Sequence, residues 1–160
     1  MRYRSRHEVG FAEFLHRRGL RFEYEFRTFD LENGETYTPD FWCPEIGVIF
    51  EVKGGTHPER LHKPWILARL LNPGSLVGDW VSVQDPPLPR VYLAHEGTLY
   101  KATERGWRWR IIWLHCGYCN ISYPVHDMED MTCRSCLRRE SRFLGYALRK
   151  VNPVIRSWTP

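Results

Sequence analysis

The chain has 160 residues, 42% hydrophobic and 26% charged, with a formal net charge of +4. That length suits one domain or a small domain with an appended module, and that apolar content excludes wholesale disorder. No run of about 18 apolar residues occurs, so no membrane span is expected, and no apolar signal core follows Arg2, Arg4 and Arg6, so a cytoplasmic location is expected.

The spacing predicts a helix over 5–18, capped by Ser5 and ended by Gly19, with Phe11, Ala12 and Leu15 as its apolar stripe. Glu8 starts the same stripe, and a carboxylate on a buried face needs a reason. Ser5-x-x-Glu8 is also a capping box, which would use that carboxylate on the Ser5 amide. Residues 21–29 alternate polar and aromatic, predicting a strand with Phe22, Tyr24 and Phe26 on one face. Asn33-Gly34 marks a turn. A second strand is expected from Thr36 to Trp42, broken by Cys43-Pro44-Glu45, and a third over 46–53 with Val48, Phe50 and Val52 facing inward. After Gly54 and Gly55 a helix is expected from about 59 to 71, kinked or restarted at Pro64. Residues 72–90, rich in proline and glycine, read as a long connection, and Arg90 to His95 as a fourth strand.

Beyond Gly97 the texture changes. Residues 107–114 (Trp-Arg-Trp-Arg-Ile-Ile-Trp-Leu) read as one strand leading into Cys116, with Trp107 as a core residue. Cys116/Cys119 and Cys133/Cys136 form two Cys-x-x-Cys pairs. Two-residue gaps let both thiolates of a pair reach one ion, and two pairs complete a tetrahedral Zn²⁺ site of zinc-ribbon or treble-clef type. His115 and His126 are not needed as ligands, and an iron–sulfur site is the rival. The lone Cys43 reads as a small buried hydrophobe. A basic helix carrying Phe143, Ala147 and Leu148 is expected after Cys136. Residues 101–160 hold 11 Lys/Arg against 5 Asp/Glu, while residues 1–100 hold 12 against 14. The basic end predicts DNA contact through Arg108, Arg110, Arg134, Arg138, Arg139 and Arg142, since arginine suits phosphate. A protein-binding or purely stabilising module is the plainer alternative.

The chemistry concentrates earlier. Side chains alternate across a strand, so Glu51 and Lys53 share the face opposite Val48, Phe50 and Val52, and a hairpin brings Asp40 alongside. Two adjacent carboxylates conflict unless a cation joins them, and Mg²⁺ prefers oxygen ligands while keeping waters for phosphate. His57, His62 and Lys63 follow as weaker candidates for phosphate contact, and Glu23 and Glu25 lie on the neighbouring strand.

Pro39-Asp40 and Glu51-Val52-Lys53, with Glu8 on a preceding helix, resemble the PD-(D/E)xK nuclease superfamily over roughly the first 100 residues. The resemblance implies an α/β, restriction-endonuclease-like core (helix, three-stranded meander, helix, strand) over 1–104, followed by a zinc-ribbon-like module over 105–160. It implies Mg²⁺ or Mn²⁺ on Asp40 and Glu51 with the Val52 carbonyl, Lys53 orienting water, Glu8 supporting the metal or its water, and structural Zn²⁺ on the four cysteines. The expected function is a DNA endonuclease of recombination, repair or phage DNA processing, acting on branched or nicked DNA, in a bacterial or phage-infected cell. A homodimer or a larger recombination or transposition assembly fits this reading. A silent zinc-dependent DNA-binding or assembly factor and an RNA-cleaving nuclease are the alternatives.

Overall fold

The computed structural model of the chain describes residues 2–55, 57–71, 89–104, 106–109, 112–125, 136 and 141–143. Helix α1 (Arg6–Arg17) starts at Ser5, whose hydroxyl accepts from the Glu8 amide at 3.2 Å. It buries Glu8, Ala12 and Leu15, and Gly19 just past its end takes φ 71°, a left-handed value suited to glycine.

The expected strand over 21–29 divides. Only β1 (Glu23–Tyr24) and β2 (Phe29–Asp30) are extended, because Glu25 between them sits at φ 49°. That reversal breaks the alternation. Phe22 and Tyr24 pack on Phe41, while Phe26 crosses to the other side and stacks on Trp42 at 5.4 Å. The strand expected over 36–42 divides as well, into β3 (Thr36–Tyr37) and β4 (Phe41–Cys43), with Pro39 in the gap. β2 and β3 make a separate ribbon around the Asn33-Gly34 turn, where Gly34 has φ 79°.

β5 (Val48–Lys53) follows as foreseen and is the centre of the molecule. α2 (Pro58–Leu71) runs unbroken, with Pro64 inside it rather than at a restart. It lies in the crossover between β5 and β6 (Arg90–His95), which pair in parallel; parallel neighbours require such a connection. β7 (Thr98–Thr103), not foreseen, turns back through Glu96 and Gly97, both at positive φ. The residues expected as one strand over 107–114 belong to two sheets: β8 (Gly106–Trp109) pairs with β7, and β9 (Ile112–Cys116) pairs with β10 (Ser122–Val125) and β11 (Ser141–Phe143). The boundary expected at 104/105 therefore falls inside the β7–β8 hairpin. Residues 141–143 are strand where a helix was expected, because their backbone completes the free edge of β9. Ala147 and Leu148 lie outside the described residues.

The main sheet has the order β1-β4-β5-β6-β7-β8 and a core on each face. Val48 and Phe50 join α1, Phe41, Tyr92 and Ala94 on one side, with Val52 packed against them. Ile49, Val91, Leu93, Tyr100 and Trp107 join α2 on the other. The cysteine-bearing sheet shares the first core through Trp113, Leu114, Cys116, Ile121 and Tyr123. Trp113 stacks on Phe50 at 6.2 Å and meets Phe14 edge-on at 5.2 Å. The Arg18 guanidinium lies 3.7 Å over the Phe14 ring, and the Ser122 amide donates to the Arg18 carbonyl at 3.2 Å. The fold is thus mixed α/β with a mainly sheet core. No helix among the described residues is long and apolar enough to cross a membrane.

Candidate active site

The register explains how the carboxylates meet. Phe41 opposes Phe50 and Cys43 opposes Val48, so Asp40 falls opposite Glu51 and Pro39 opposite Val52. Alternate residues turn their backbone groups to the same strand edge. The Val52 amide faces β4, but the β4–β5 ladder stops at Phe41 and the chain bends at Asp40. The Asp40 side chain takes the place of a backbone acceptor, and the Val52 N–H donates to Asp40 Oδ2 at 2.8 Å. The Val52 carbonyl faces the same edge, where Pro39 has no N–H to give. The bend at the aspartate and the proline before it thus open a donor and an acceptor at the end of the ladder.

Glu51 is 1% exposed and Asp40 8%. The Asp40 amide donates to Glu51 Oε2 at 3.3 Å, and Lys53 pairs with Glu51 Oε1. Burial first, and the Glu51 charge second, push the Asp40 carboxyl up to about 8; the Val52 amide and Lys53 only partly offset them. Tyr37 is half-buried, with its hydroxyl buried beside both acids. Its hydroxyl makes no hydrogen bond of normal geometry, and burial plus the Glu51 charge carry its pKa well upward. His95, 2% exposed, holds the Lys53 carbonyl through Nδ1 at 2.8 Å.

Glu8 reaches the same neighbourhood from α1, and its charge contributes to the upward shift of Asp40. Its Oε1 accepts from the Ser5 hydroxyl at 2.8 Å; Oε2 accepts from the Arg4 amide at 2.8 Å and the Tyr24 hydroxyl at 2.6 Å. Burial alone would raise this carboxyl, but Tyr24, Ser5 and Arg4 together hold it below its ordinary value. The capping box is therefore formed, and Tyr24 adds a tertiary bond that the sequence pattern did not reveal. Tyr37, Tyr24 and His95 escaped sequence reasoning because an aromatic in a strand reads as core. Among the weaker candidates, Lys63 pairs with Glu35 at 2.8 Å, His62 stacks near Trp65, and Glu25 pairs with Arg4 at 2.7 Å.

The second cluster is the thiol site. The sulfurs of Cys116, Cys119 and Cys136 lie within 4.8 Å of one another, and Cys116 and Cys136 are 3.5 Å apart. Two thiolates on a tetrahedral zinc sit about 3.8 Å apart, so these three residues can hold a metal ion. Burial would raise the Cys116 thiol, but the Cys119 and Tyr118 amides and the neighbouring sulfurs outweigh it and bring the pKa to about 6. Cys133 lies outside the described residues. The His115 ring is turned to the Ser122 hydroxyl at 3.4 Å. Cys43 is fully buried, and desolvation drives its thiol pKa upward. The backbones of Arg108 and Arg142 lie in β8 and β11; Arg110, Arg134, Arg138 and Arg139 lie outside the described residues. Comparison with protein-family models, with curated proteins and with solved structures gives no match.

Proposed function

We propose that this chain is a metal-dependent DNA endonuclease of the PD-(D/E)xK kind, with a structural zinc site in its C-terminal sheet. One observation carries the reading: Asp40, Glu51 and Lys53 meet at the broken end of the β4–β5 ladder, and Asp40 is forced towards its protonated form there. A buried acid pair with one lysine lacks positive charge, which is the electrostatic signature of a cation site. The donor set is hard oxygen, as Mg²⁺ or Mn²⁺ requires. Asp40, Glu51 and the Val52 carbonyl would hold the ion, which when bound supplies Lewis-acid stabilisation and a more acidic water. The order helix, antiparallel strands, helix, parallel strand supports the restriction-endonuclease-like core.

The remaining steps belong to the chain's own groups. Lys53 is held close by its ion pair with Glu51, so it can orient the attacking water and neutralise charge growing on the phosphate. His95 fixes the Lys53 carbonyl and so the direction of its side chain. Tyr24, Arg4 and Ser5 take three of the roughly four lone-pair sites of the Glu8 carboxylate, so it acts as a positioning residue and a fixed negative charge, with one Oε1 site left to support the metal's water. Zn²⁺ would sit on Cys116, Cys119, Cys133 and Cys136, and the basic residues of the C-terminal sequence would bind the DNA backbone.

The test is cleavage of linear, branched and single-stranded DNA, and of RNA, with Mg²⁺ and with Lys53→Ala as control. Cutting of DNA by the wild type and not by the variant supports the reading. Cutting of RNA alone moves the substrate class, and DNA binding with no cutting by any form leaves a silent zinc-dependent DNA-binding factor.

A further inference from the structure

We propose that His7 contacts a backbone phosphate of the DNA beside the carboxylate site, and that Gly54 is glycine so that the imidazole can lie there. The inference rests on the nuclease reading. Gly54 directly follows Lys53, where the chain leaves β5. Its φ is not positive, so its backbone conformation does not demand glycine. What glycine permits is the placement of the His7 ring: a Cβ on Gly54 would overlap Cε1 and Nδ1, lie 3.0 Å from Cγ and push the ring aside.

That close contact has no core-packing explanation, because His7 and Gly54 are both exposed. Nor does a polar bond hold the ring, since His7 makes no hydrogen bond or ion pair among the described residues. The first turn of α1 therefore sends two groups to one place. Glu8 goes inward to Tyr24, and His7 stays on the rim against the peptide that follows Lys53. At the next residue the fit is looser: a Cβ on Gly55 would lie 3.4 Å from the His57 ring, an ordinary van der Waals contact. Glycine at 54 lets the imidazole lie flat against the main chain next to Lys53, at the rim of the carboxylate site. An imidazole N–H is a suitable donor to a phosphate oxygen, and a ring already packed on a peptide loses little freedom on binding.

The experiment uses the full chain and duplex DNA, with binding measured in Ca²⁺ and cleavage in Mg²⁺. His7→Ala should raise Kd and KM by roughly 5–20-fold, as loss of one phosphate contact does, with kcat nearly unchanged. His7→Gln, which keeps a side-chain donor, should recover part of the loss. Gly54→Ala should displace the ring and reproduce the His7→Ala defect, because a side chain gives way more easily than the fold. In the double variant the two losses should not add. Unchanged Kd and KM in His7→Ala overturn the proposal, as does an equal further loss from Gly54→Ala when the imidazole is already gone. An active wild type with an indifferent His7→Ala refutes this residue alone. A wild type that neither binds nor cuts DNA, and so matches Lys53→Ala, overturns the nuclease reading and this inference with it.

Discussion

Replacing Asp40 by asparagine should make the metal-free protein more stable while abolishing cleavage. The Asp40 carboxyl has its pKa carried from 3.8 to about 8, by burial first and by Glu51 second. A folded-state pKa above the unfolded one means that the folded chain holds the proton more tightly. The stability linked to this group is therefore complete below about pH 4 and is lost as pH rises towards 8. Four units at about 1.4 kcal/mol each set a ceiling of about 5–6 kcal/mol. The asparagine side chain removes the charge and leaves a neutral acceptor for the Val52 amide, so the realised gain should be about 2–4 kcal/mol at pH 8. The gap between variant and wild type should widen by about 1–3 kcal/mol between pH 5.5 and pH 8. Urea unfolding without added divalent cations, at both pH values and with unchanged m, measures it. A variant no more stable at pH 8, or a gap independent of pH, would refute the electrostatic account of this site. Normal cutting by the variant would refute its catalytic assignment.

The same carboxyl must lose its proton when a cation binds, so Mg²⁺ affinity should tighten roughly 50-fold from pH 6 to pH 8; calorimetry in buffers of different ionisation enthalpy would show the proton release, and a flat profile would contradict it. Tyr24→Phe deletes the bond to Glu8 and should cost about 1–2 kcal/mol at pH 7. Because the Glu8 pKa is held low, that contribution is present above its unfolded value and fades as pH falls through the folded one, so the variant's deficit should shrink in acid. Cys119→Ser should lower bound zinc and alter the emission of Trp113, which lies in the same strand as Cys116; full metal content in the variant would remove Cys119 from the ligand set.

The placement of Val48, Phe50 and Val52 against Glu51 and Lys53 was legible because side chains alternate across any strand, and β5 obeys that period. The helix start at Ser5 was legible for a similar reason: capping is local chemistry between residues three apart. What stayed hidden were reversals set by single residues. Glu25 at a left-handed φ turns Phe26 to the opposite core, and nothing in an alternating aromatic run marks that residue. Residues 107–114 looked like one strand because hydrophobic spacing does not say which sheet a strand joins. Ser141–Phe143 looked helical because the neighbouring arginines and alanine favour helix, while the open edge of β9 decides the local structure. Of the site, the acids and the lysine could be read from their spacing. Tyr37 and His95 could not, since their contribution depends on a register that only the folded sheet supplies.

The cysteine sheet and the first helix share one hydrophobic core, with Trp113 wedged against Phe14 and Phe50 and the Ser122 amide tied to the Arg18 carbonyl. The two halves are consequently not separable pieces. Shortening the chain at residue 104 would strip the cover from Phe14, Phe50 and Tyr92 and delete β8, leaving an oily face and a raw sheet edge prone to aggregation. Losing an ion held by the cysteine cluster would act at a distance for the same reason, because the scaffold such an ion would steady is the one on which Glu8 is mounted.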